Sequence, residues 1–352
     1  MKFPNHRERL DFVMRRTPIS TVTDRQIWTK IVSPMVKKFL GPIESCTTGF
    51  SESTEGLFPG DEASNLNDHR LYGGQNGFLR FPYTWSIYTT RNGALVIKRD
   101  GTKFEATGWY GELASGKAQM IFKAGLRDRR YDGTDWANDC PIINFPYDDP
   151  ELNGRFLGAD KMTVEQSLYG FDPTTRIVDE TGDAEYDRFV KQPFEFLDRP
   201  ELFMTYFNRV WNSDRAPGQN CKAIPDVGKQ VLKAMGELAA TRGYDFIEGA
   251  NSHYHVCMWT AAQGYKYTLP RQEACMAAFT TGLQRIKDSG VKLTRPQESW
   301  VVVLQSLRPV ELIPPHLYMG VPGLVWPQDN ISPKSLWVHK PLEKKAKIAK
   351  VA

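Results

Sequence analysis

Alternation of side-chain type marks the segment from residue 81 to 125 as a set of strands. The residues that alternate with others before the first turn are Tyr83, Trp85, Ile87 and Thr89. Asn92-Gly93 favours a two-residue hairpin turn because both residue types tolerate positive φ. Asp100-Gly101 supplies a second turn of the same kind. The pattern therefore predicts a small antiparallel sheet, with a further strand over 118–123.

From about residue 184 the spacing of apolar residues becomes helical. The clearest helix is predicted over 226–242, where Asp226 can cap the start and Gly243 can end the helix in a left-handed conformation. Its apolar residues recur at helical spacing: Val231, Leu232, Met235, Leu238 and Ala239. Another long helix is predicted over 271–289. The run 300–304 fits either a helix or a buried strand, because β-branched residues favour strands.

Polar and proline-rich segments separate these elements. Residues 41–80 predict an irregular loop, and 126–183 predict a loop-rich connection. The fold class is therefore α+β, with a small antiparallel β-sheet domain, an α-helical hairpin domain and extended arms. The predicted units are a basic N-terminal arm (1–40), a loop-rich antiparallel β domain (41–150), an α-helical domain (184–307) and a Pro-rich extended tail with a basic C-terminus (308–352).

Composition indicates an ordinary globular protein and helps to predict its cellular compartment. The chain has 352 residues, of which 41% are hydrophobic and 24% charged, as in ordinary globular proteins. No apolar run approaches the ~20 residues that a membrane helix needs. Five widely spaced cysteines support neither a disulfide framework nor a CxxC metal site. These features predict an intracellular, reducing compartment, and the Arg-rich start makes the mitochondrial matrix the predicted location.

The formal charge of +4 hides an uneven distribution. Residues 1–40 carry nine Lys/Arg against three acidic residues, and 334–352 carry six lysines against one glutamate, so both ends are basic and the body is acidic. Basic ends commonly contact nucleic acid. Further cations are interleaved with aromatic residues over 81–136, a composition suited to stacked bases and phosphates. The residues predicted to contact RNA are Arg7, Arg9, Arg15, Arg16, Arg127, Arg129, Arg130, Lys344, Lys345, Lys347 and Lys350.

The segment 224–307 carries a partial likeness to helical repeats. Residues 274–279 form the run Ala-Cys-Met-Ala-Ala-Phe, and 286–292 form Ile-Lys-Asp-Ser-Gly-Val-Lys. This arrangement resembles helical-hairpin repeat proteins of the pentatricopeptide or tetratricopeptide kind. Gly243 and Gly290 are 47 residues apart in the sequence, whereas such units repeat at about 34–35. The resemblance implies RNA contact or protein scaffolding, often in organelles, and no base-reading residue carries over.

A second motif concerns covalent chemistry. Residues 98–101 read Lys-Arg-Asp-Gly, which resembles the KxDG motif of the nucleotidyltransferase family that includes RNA and DNA ligases. The resemblance implies that Lys98 is a nucleophile that takes up a nucleotide. No convincing EG(Y/F)V-type strand and no KxK pair near the end of such a domain accompany it, and Glu112 follows too closely to be a second motif. Nucleotidyl transfer at Lys98 is therefore an alternative prediction.

Metal and other catalytic motifs contribute little. His253 and Cys257 would share a helix face at i, i+4 and could hold zinc, but two more ligands are needed and only Cys275 is near in sequence. Motifs of the GxGxxG, GxxxxGK[ST], HExxH and GxSxG types do not occur. The sequence therefore predicts no cofactor, no metal and no assigned catalytic residue.

Together these features favour a non-catalytic role, and an enzyme is kept as an alternative. The main prediction is a structural or assembly subunit of a large ribonucleoprotein, such as an organellar ribosome, with other protein subunits and RNA as partners. The alternatives are a structural protein of a virus particle, an accessory subunit of a respiratory complex, and a ligase-like enzyme that uses Lys98.

Overall fold

A single mixed sheet organises the described part of the chain. The computed structural model describes residues 18–33, 38–51, 83–100, 103–112, 118–128, 163–327 and 336–343. The strands of these residues run in the spatial order β1-β2-β3-β4-β5-β6-β7-β9-β8. Their bounds are β1 Ile43–Ser51, β2 Tyr83–Thr90, β3 Gly93–Asp100, β4 Lys103–Tyr110, β5 Gln119–Asp128, β6 Thr163–Gly170, β7 Phe246–Asn251, β8 Lys266–Tyr267 and β9 Leu336–Pro341.

Most of the helices follow the antiparallel strands β1 to β6, so the predicted α+β class is confirmed. The first, short α1 continues into a π-helical stretch over Ile27–Val32. The α-helices are α1 Asp24–Gln26, α2 Ile177–Thr181, α3 Ala184–Lys191, α4 Pro200–Val210, α5 Val227–Ala240, α6 Tyr254–Ala262, α7 Pro270–Asp288 and α8 Arg295–Leu304. Short 3₁₀ turns lie at Pro18–Thr21, Pro173–Thr175, Pro193–Phe196, Val310–Leu312 and Pro315–Leu317. No helix in the described ranges is long and apolar enough to cross a membrane.

Strand pairing is antiparallel from β1 to β6 and changes at β7. β6 and β7 are parallel, because the chain leaves the sheet after β6 and returns through α2 to α5. β9 then inserts between β7 and β8 and is antiparallel to both. The sheet therefore draws strands from the predicted segments 41–150, 184–307 and 308–352.

One face of this sheet carries the main hydrophobic core. Leu95, Phe104 and Leu126 come from three adjacent strands, and they form one cluster with Ile31 of the N-terminal π-helical stretch and Met235 of α5. All five are at most 1% exposed, and burial of such side chains contributes ~1.5–3 kcal/mol each. We call this side of the sheet the helix-covered face.

The segment 41–80, predicted as an irregular loop, contains a strand. Residues 43–51 form β1, which pairs with β2 from Ile43↔Thr90 to Ser51↔Tyr83. The prediction failed here because Gly, Ser and Thr suggest a loop by composition, whereas pairing with a neighbouring strand overrides propensity. Gly49 leaves room for the indole of Trp85, since a Cβ at that position would lie 2.1 Å from Cζ2 of that ring. Residues 52–82 lie outside the described ranges.

A second core lies among the helices after β6. Trp300 of α8 is fully buried, and its ring stacks on that of Phe189 at a centroid separation of 5.3 Å. The Trp300 indole N–H donates to the carbonyl of Arg215 at 2.8 Å. α8 thus resolves the ambiguity of the run 300–304 in favour of a helix. Gly243 and Gly290, with φ of 83° and 93°, end α5 and α7 as predicted.

Candidate functional site: a buried charged face of the sheet

The side of the sheet opposite the helix-covered face is lined with charged residues. Residues paired directly across strands point to the same side. Lys98 pairs with Glu105, Lys103 pairs with Arg127, and Lys123 occupies the same side of β5. Backbone register extends this row through Glu165 of β6 to Glu248 of β7. We call this side the charged face and define it by Lys98, Lys103, Glu105, Lys123, Arg127 and Glu248.

All six side chains of the charged face are buried. Their exposed fractions are 3% for Lys98, 1% for Lys103, 4% for Glu105, 3% for Lys123, 2% for Arg127 and 1% for Glu248. Lys, Arg and Glu are almost never fully buried in proteins unless they are paired. Removing a charge from water costs several kcal/mol even after relaxation. The burial of four cations and two carboxylates on one face makes this face a candidate functional site.

One ion pair on this face is well defined. Nζ of Lys123 lies 3.0 Å from Oε2 of Glu105. Lys123 is on β5 and Glu105 on β4, so the pair runs diagonally between adjacent strands. Glu105 is also the register partner of Lys98. The carboxylate opposite Lys98 is thus bound by a second lysine.

Lys98 itself lies within β3, which ends at Asp100. Trp85 of β2 is its register partner on the other side, so Lys98 is flanked by an indole and a carboxylate. Arg99, its neighbour in sequence, points to the opposite face, where its guanidinium contacts the carboxylate of Asp24 and the carbonyl of Val22. Tyr88 also donates to Asp24 at 2.9 Å. These contacts fix the end of β3 against the N-terminal helical turn.

β7 contains a Glu-Gly pair that can be compared with the EG(Y/F)V strand of the KxDG family. Glu248 and Gly249 are consecutive in β7, and Glu248 belongs to the charged face. They match the first two positions of an EG(Y/F)V strand, but Ala250 and Asn251 follow instead of an aromatic residue and Val. β9 places His339 opposite Glu248. Lys340 pairs with Ile247 of the core and donates to the carbonyl of Gln263 at 2.8 Å, so β9 provides no KxK pair on this face.

Most residues predicted to contact RNA are not in the described ranges. Arg127 is described, and it is a buried member of the charged face rather than a surface cation. RNA contact through the others stays a prediction. The residues outside the described ranges are Arg7, Arg9, Arg15, Arg16, Arg129, Arg130, Lys344, Lys345, Lys347 and Lys350.

The structure places no third ligand beside His253 and Cys257 in the described part of the chain. His253 precedes α6 instead of lying within it, and its ring stacks on Phe194. Cys257 is fully buried, and burial raises the pKa of its thiol. Among the described residues, no group of three or more His, Cys, Asp or Glu side chains is placed to hold a metal ion.

Comparisons with known proteins do not assign a family to the chain. No protein-family model, curated protein or solved structure matches it. The interpretation of the charged face therefore rests on its own residues.

Proposed function

We propose that this protein is a lysine-dependent nucleotidyltransferase in which Lys98 takes up a nucleotide from a nucleoside triphosphate. The observation that carries the proposal is the burial of Lys98 on a sheet face with Lys103, Lys123 and Arg127. A desolvated lysine near other cations loses its proton more easily and becomes a nucleophile. The same cations suit the phosphates of the substrate. The KxDG resemblance agrees with both points.

The reaction follows from the chemistry of the amine. The uncharged Nζ of Lys98 attacks the α-phosphorus, a P–N bond forms, and the bond from that phosphorus to the bridging oxygen breaks. Pyrophosphate leaves with the electron pair, and the proton of the attacking nitrogen passes to solvent. The phosphoramidate then delivers the nucleotide to an acceptor oxygen, which restores the lysine. A terminal phosphate of a nucleic acid is the acceptor that the basic chain ends favour.

A divalent cation would accompany the triphosphate. Mg²⁺ is usually held by one or two carboxylates together with substrate phosphates, so it needs no preformed cage of protein ligands. Glu248, a buried carboxylate of the charged face, would be the protein ligand in this role. The cation would neutralise charge on the leaving pyrophosphate.

Incubation with ATP or GTP labelled at the α-phosphate tests the proposal. We expect a covalent, acid-labile adduct that peptide mass spectrometry assigns to Lys98. Lys98→Arg keeps the positive charge but cannot act as the nucleophile, so this variant should form no adduct. Lys233→Arg, at an exposed position of α5, is the matched control and should label normally. A wild-type protein that forms no adduct with either nucleotide would refute nucleotidyl transfer.

The ribonucleoprotein interpretation rests on residues other than those of the charged face. It depends on the basic ends, and the residues there that are predicted to contact RNA lie outside the described ranges. The charged face does not favour this interpretation over an enzyme. RNA-linked assembly therefore stays a prediction from the sequence, and it is tested through the C-terminal lysines in the Discussion.

A further inference from the structure

The two edges of the described sheet differ in how well they are protected from pairing with another strand. β8, at one edge, has only two residues, Lys266 and Tyr267, and its lysine is exposed. A short strand and an edge lysine are both devices that prevent edge-to-edge association. β1, at the other edge, has nine residues and contains no proline, lysine or arginine. β1 therefore lacks the protection that β8 has.

The outer side of β1 is open to a further strand in the described part of the chain. β2 pairs with β1 in a register that is regular from Ser45 to Ser51, and no described strand lies on the other side of β1. Residues 43–48 are exposed, and the exposed fraction of Ile43 is 39%. Part of the backbone N–H and C=O groups of an edge strand point away from its single neighbour. These groups form a template on which one more strand can pair.

We propose that β1 pairs with β1 of a second copy of this chain, so that two sheets join edge to edge in a symmetric dimer. The composition of β1 favours its own copy, because Glu44 is its one charged residue. In an antiparallel pair centred near Thr48, the midpoint of the regular segment, the two Glu44 carboxylates lie at opposite ends and do not repel each other. Threonines of both copies meet at the centre, and cross-strand threonine pairs stabilise a sheet. A two-fold contact of this kind uses the same surface twice and closes on itself.

The symmetry of this dimer places both charged faces on the same side of the joined sheet. The two-fold axis of an antiparallel strand pair is perpendicular to the sheet, so the two copies present the same face. Lys98 lies on β3, two strands from the edge, and five strand spacings of ~4.8 Å therefore separate it from its equivalent in the second copy, a distance of about 24 Å. The inference goes beyond nucleotidyl transfer and does not depend on it, because the position and composition of β1 carry it.

Solution mass and hydrogen exchange of the full-length protein test the dimer between about 5 μM and 0.5 mM, a range that detects even a weak contact. Light scattering should show the mass rising towards twice that of one chain. The amides of residues 43–51 should become protected from exchange over the same range. A mass that stays at one chain would overturn the inference. Protection of these amides in a monomer would overturn it too, because another part of the same chain would then pair with β1. A dimer without added protection at 43–51 would place the contact elsewhere and would also overturn it.

Charge substitutions on β1 test the strand pairing itself. Thr47→Lys or Thr47→Glu brings like charges together near the centre of the pair, so each variant alone should dimerise about fivefold more weakly than the wild type. An equimolar mixture of the two should regain the affinity, because opposite charges then meet. Thr205→Lys makes the same change at an exposed position of α4 and should dimerise like the wild type.

Two results with these variants would overturn the inference. One is a folded Thr47→Lys that dimerises as strongly as the wild type, and the other is a mixture that dimerises no better than its components. Circular dichroism checks the fold of each variant. If neither variant folds, the concentration dependence of hydrogen exchange at 43–51 in the wild type decides the question.

Discussion

At the level of single residues, the half-buried imidazole of His253 and the buried imidazole of His255 form a stack where β7 leads into α6. The rings of His253 and His255 lie 5.9 Å apart, centroid to centroid, and Nδ1 of His255 is 3.1 Å from the hydroxyl of Ser299. Burial lowers the pKa of His253 to about 4. Burial, the neighbouring His253 and the guanidinium of Arg295 lower the pKa of His255 to about 3. Both rings are therefore neutral in the folded protein at neutral pH.

Mild acid should destabilise the fold through these two residues. An unfolded chain protonates histidine near pH 6.5, so between about pH 6.5 and 4 it binds protons that the folded chain does not. The free energy of unfolding should be unaffected by this pair above about pH 6.5 and should fall as the pH decreases through that window. The contribution of His255 is expected to be ~2 kcal/mol at about pH 5. Urea unfolding at several pH values measures it.

Substitutions attribute this effect to the stack. His255→Gln removes one titrating group and should make the decrease in unfolding free energy between neutral pH and about pH 5 smaller. His316→Gln alters an exposed histidine and should leave the pH dependence of the wild type unchanged. Equal pH dependence in wild type and His255→Gln would mean that other groups cause the acid sensitivity.

Which residue pairs with Lys98 depends on the position of the turn between β3 and β4, and the sequence predicted that turn one residue too early. The sequence identified Lys98 from its motif, but an Asp100-Gly101 turn would pair Lys98 with Lys103. The observed register pairs Asp100 with Lys103, and this places Glu105 opposite Lys98. A local motif could not identify Lys123 and Glu248 as members of the charged face. They lie on β5 and β7, and a local sequence pattern does not determine the order of strands in a sheet.

At the level of elements, two glycines inside helices differ in what surrounds them. A Cβ at Gly282 of α7 would lie 2.9 Å from Cβ of Met319 and 2.6 Å from its sulfur. A Cβ at Gly236 of α5 would meet only Cδ2 of Leu342 at 3.7 Å, which is ordinary contact. α7 therefore packs against the segment around Met319 at a distance that glycine permits.

The same substitution should have opposite effects at these two positions. Alanine favours a helix interior over glycine by ~0.5–1 kcal/mol, so Gly236→Ala should raise the unfolding free energy by that amount. Gly282→Ala gains the same propensity but crowds Met319, and overpacking costs ~1–3 kcal/mol, so this variant should be less stable than wild type. Chemical denaturation measures both. A stabilised Gly282→Ala would show that the Met319 segment moves away without cost.

Prediction of elements succeeded where the local pattern was periodic. The helices near 226–242 and 271–289 and the hairpins after residue 81 have clear spacing and are present. The local details differ, since Asp226 makes no side-chain cap hydrogen bond and Gly93 pairs with Thr90 instead of lying in the turn. β6 and β7 were missed because part of their stability comes from pairing with strands far away in sequence. The run 300–304 is apolar on every side, so its period could not decide between helix and strand. Burial against Phe189 decides it.

At the level of the whole molecule, the last strand holds distant parts of the chain together. β9 lies between β7 and β8, and its residues Leu336, Trp337 and Val338 are at most 2% exposed. It follows the helices α6 to α8 in the sequence, and its residue Leu336 belongs to the second core. β9 is therefore an interior strand of the fold, and the lysine-rich sequence that follows it begins at residue 344.

Two truncations should separate the fold from the basic tail. A chain ending at residue 335 lacks β9, so β7 and β8 lose their hydrogen bonds to that strand. This chain should show no cooperative unfolding transition. A chain ending at residue 343 keeps β9 and should unfold within about 0.5 kcal/mol of the full-length protein, as changes away from the core usually do. Thermal unfolding followed by circular dichroism measures both. Cooperative unfolding of the shorter chain would show that β9 is dispensable.

The chain ending at residue 343 also tests the predicted RNA contact independently of the charged face. It loses Lys344, Lys345, Lys347 and Lys350 and no acidic residue. If these lysines bind phosphates, affinity for single-stranded RNA at low salt should fall, and the slope of log affinity against log salt should decrease by up to ~3. Replacing the four lysines with arginine keeps the charge and should preserve binding. Nucleotide labelling of Lys98 should be unchanged in both variants, because β3 and its neighbours are intact. A full-length protein that binds no RNA at low salt would refute the contact while leaving nucleotidyl transfer to its own test.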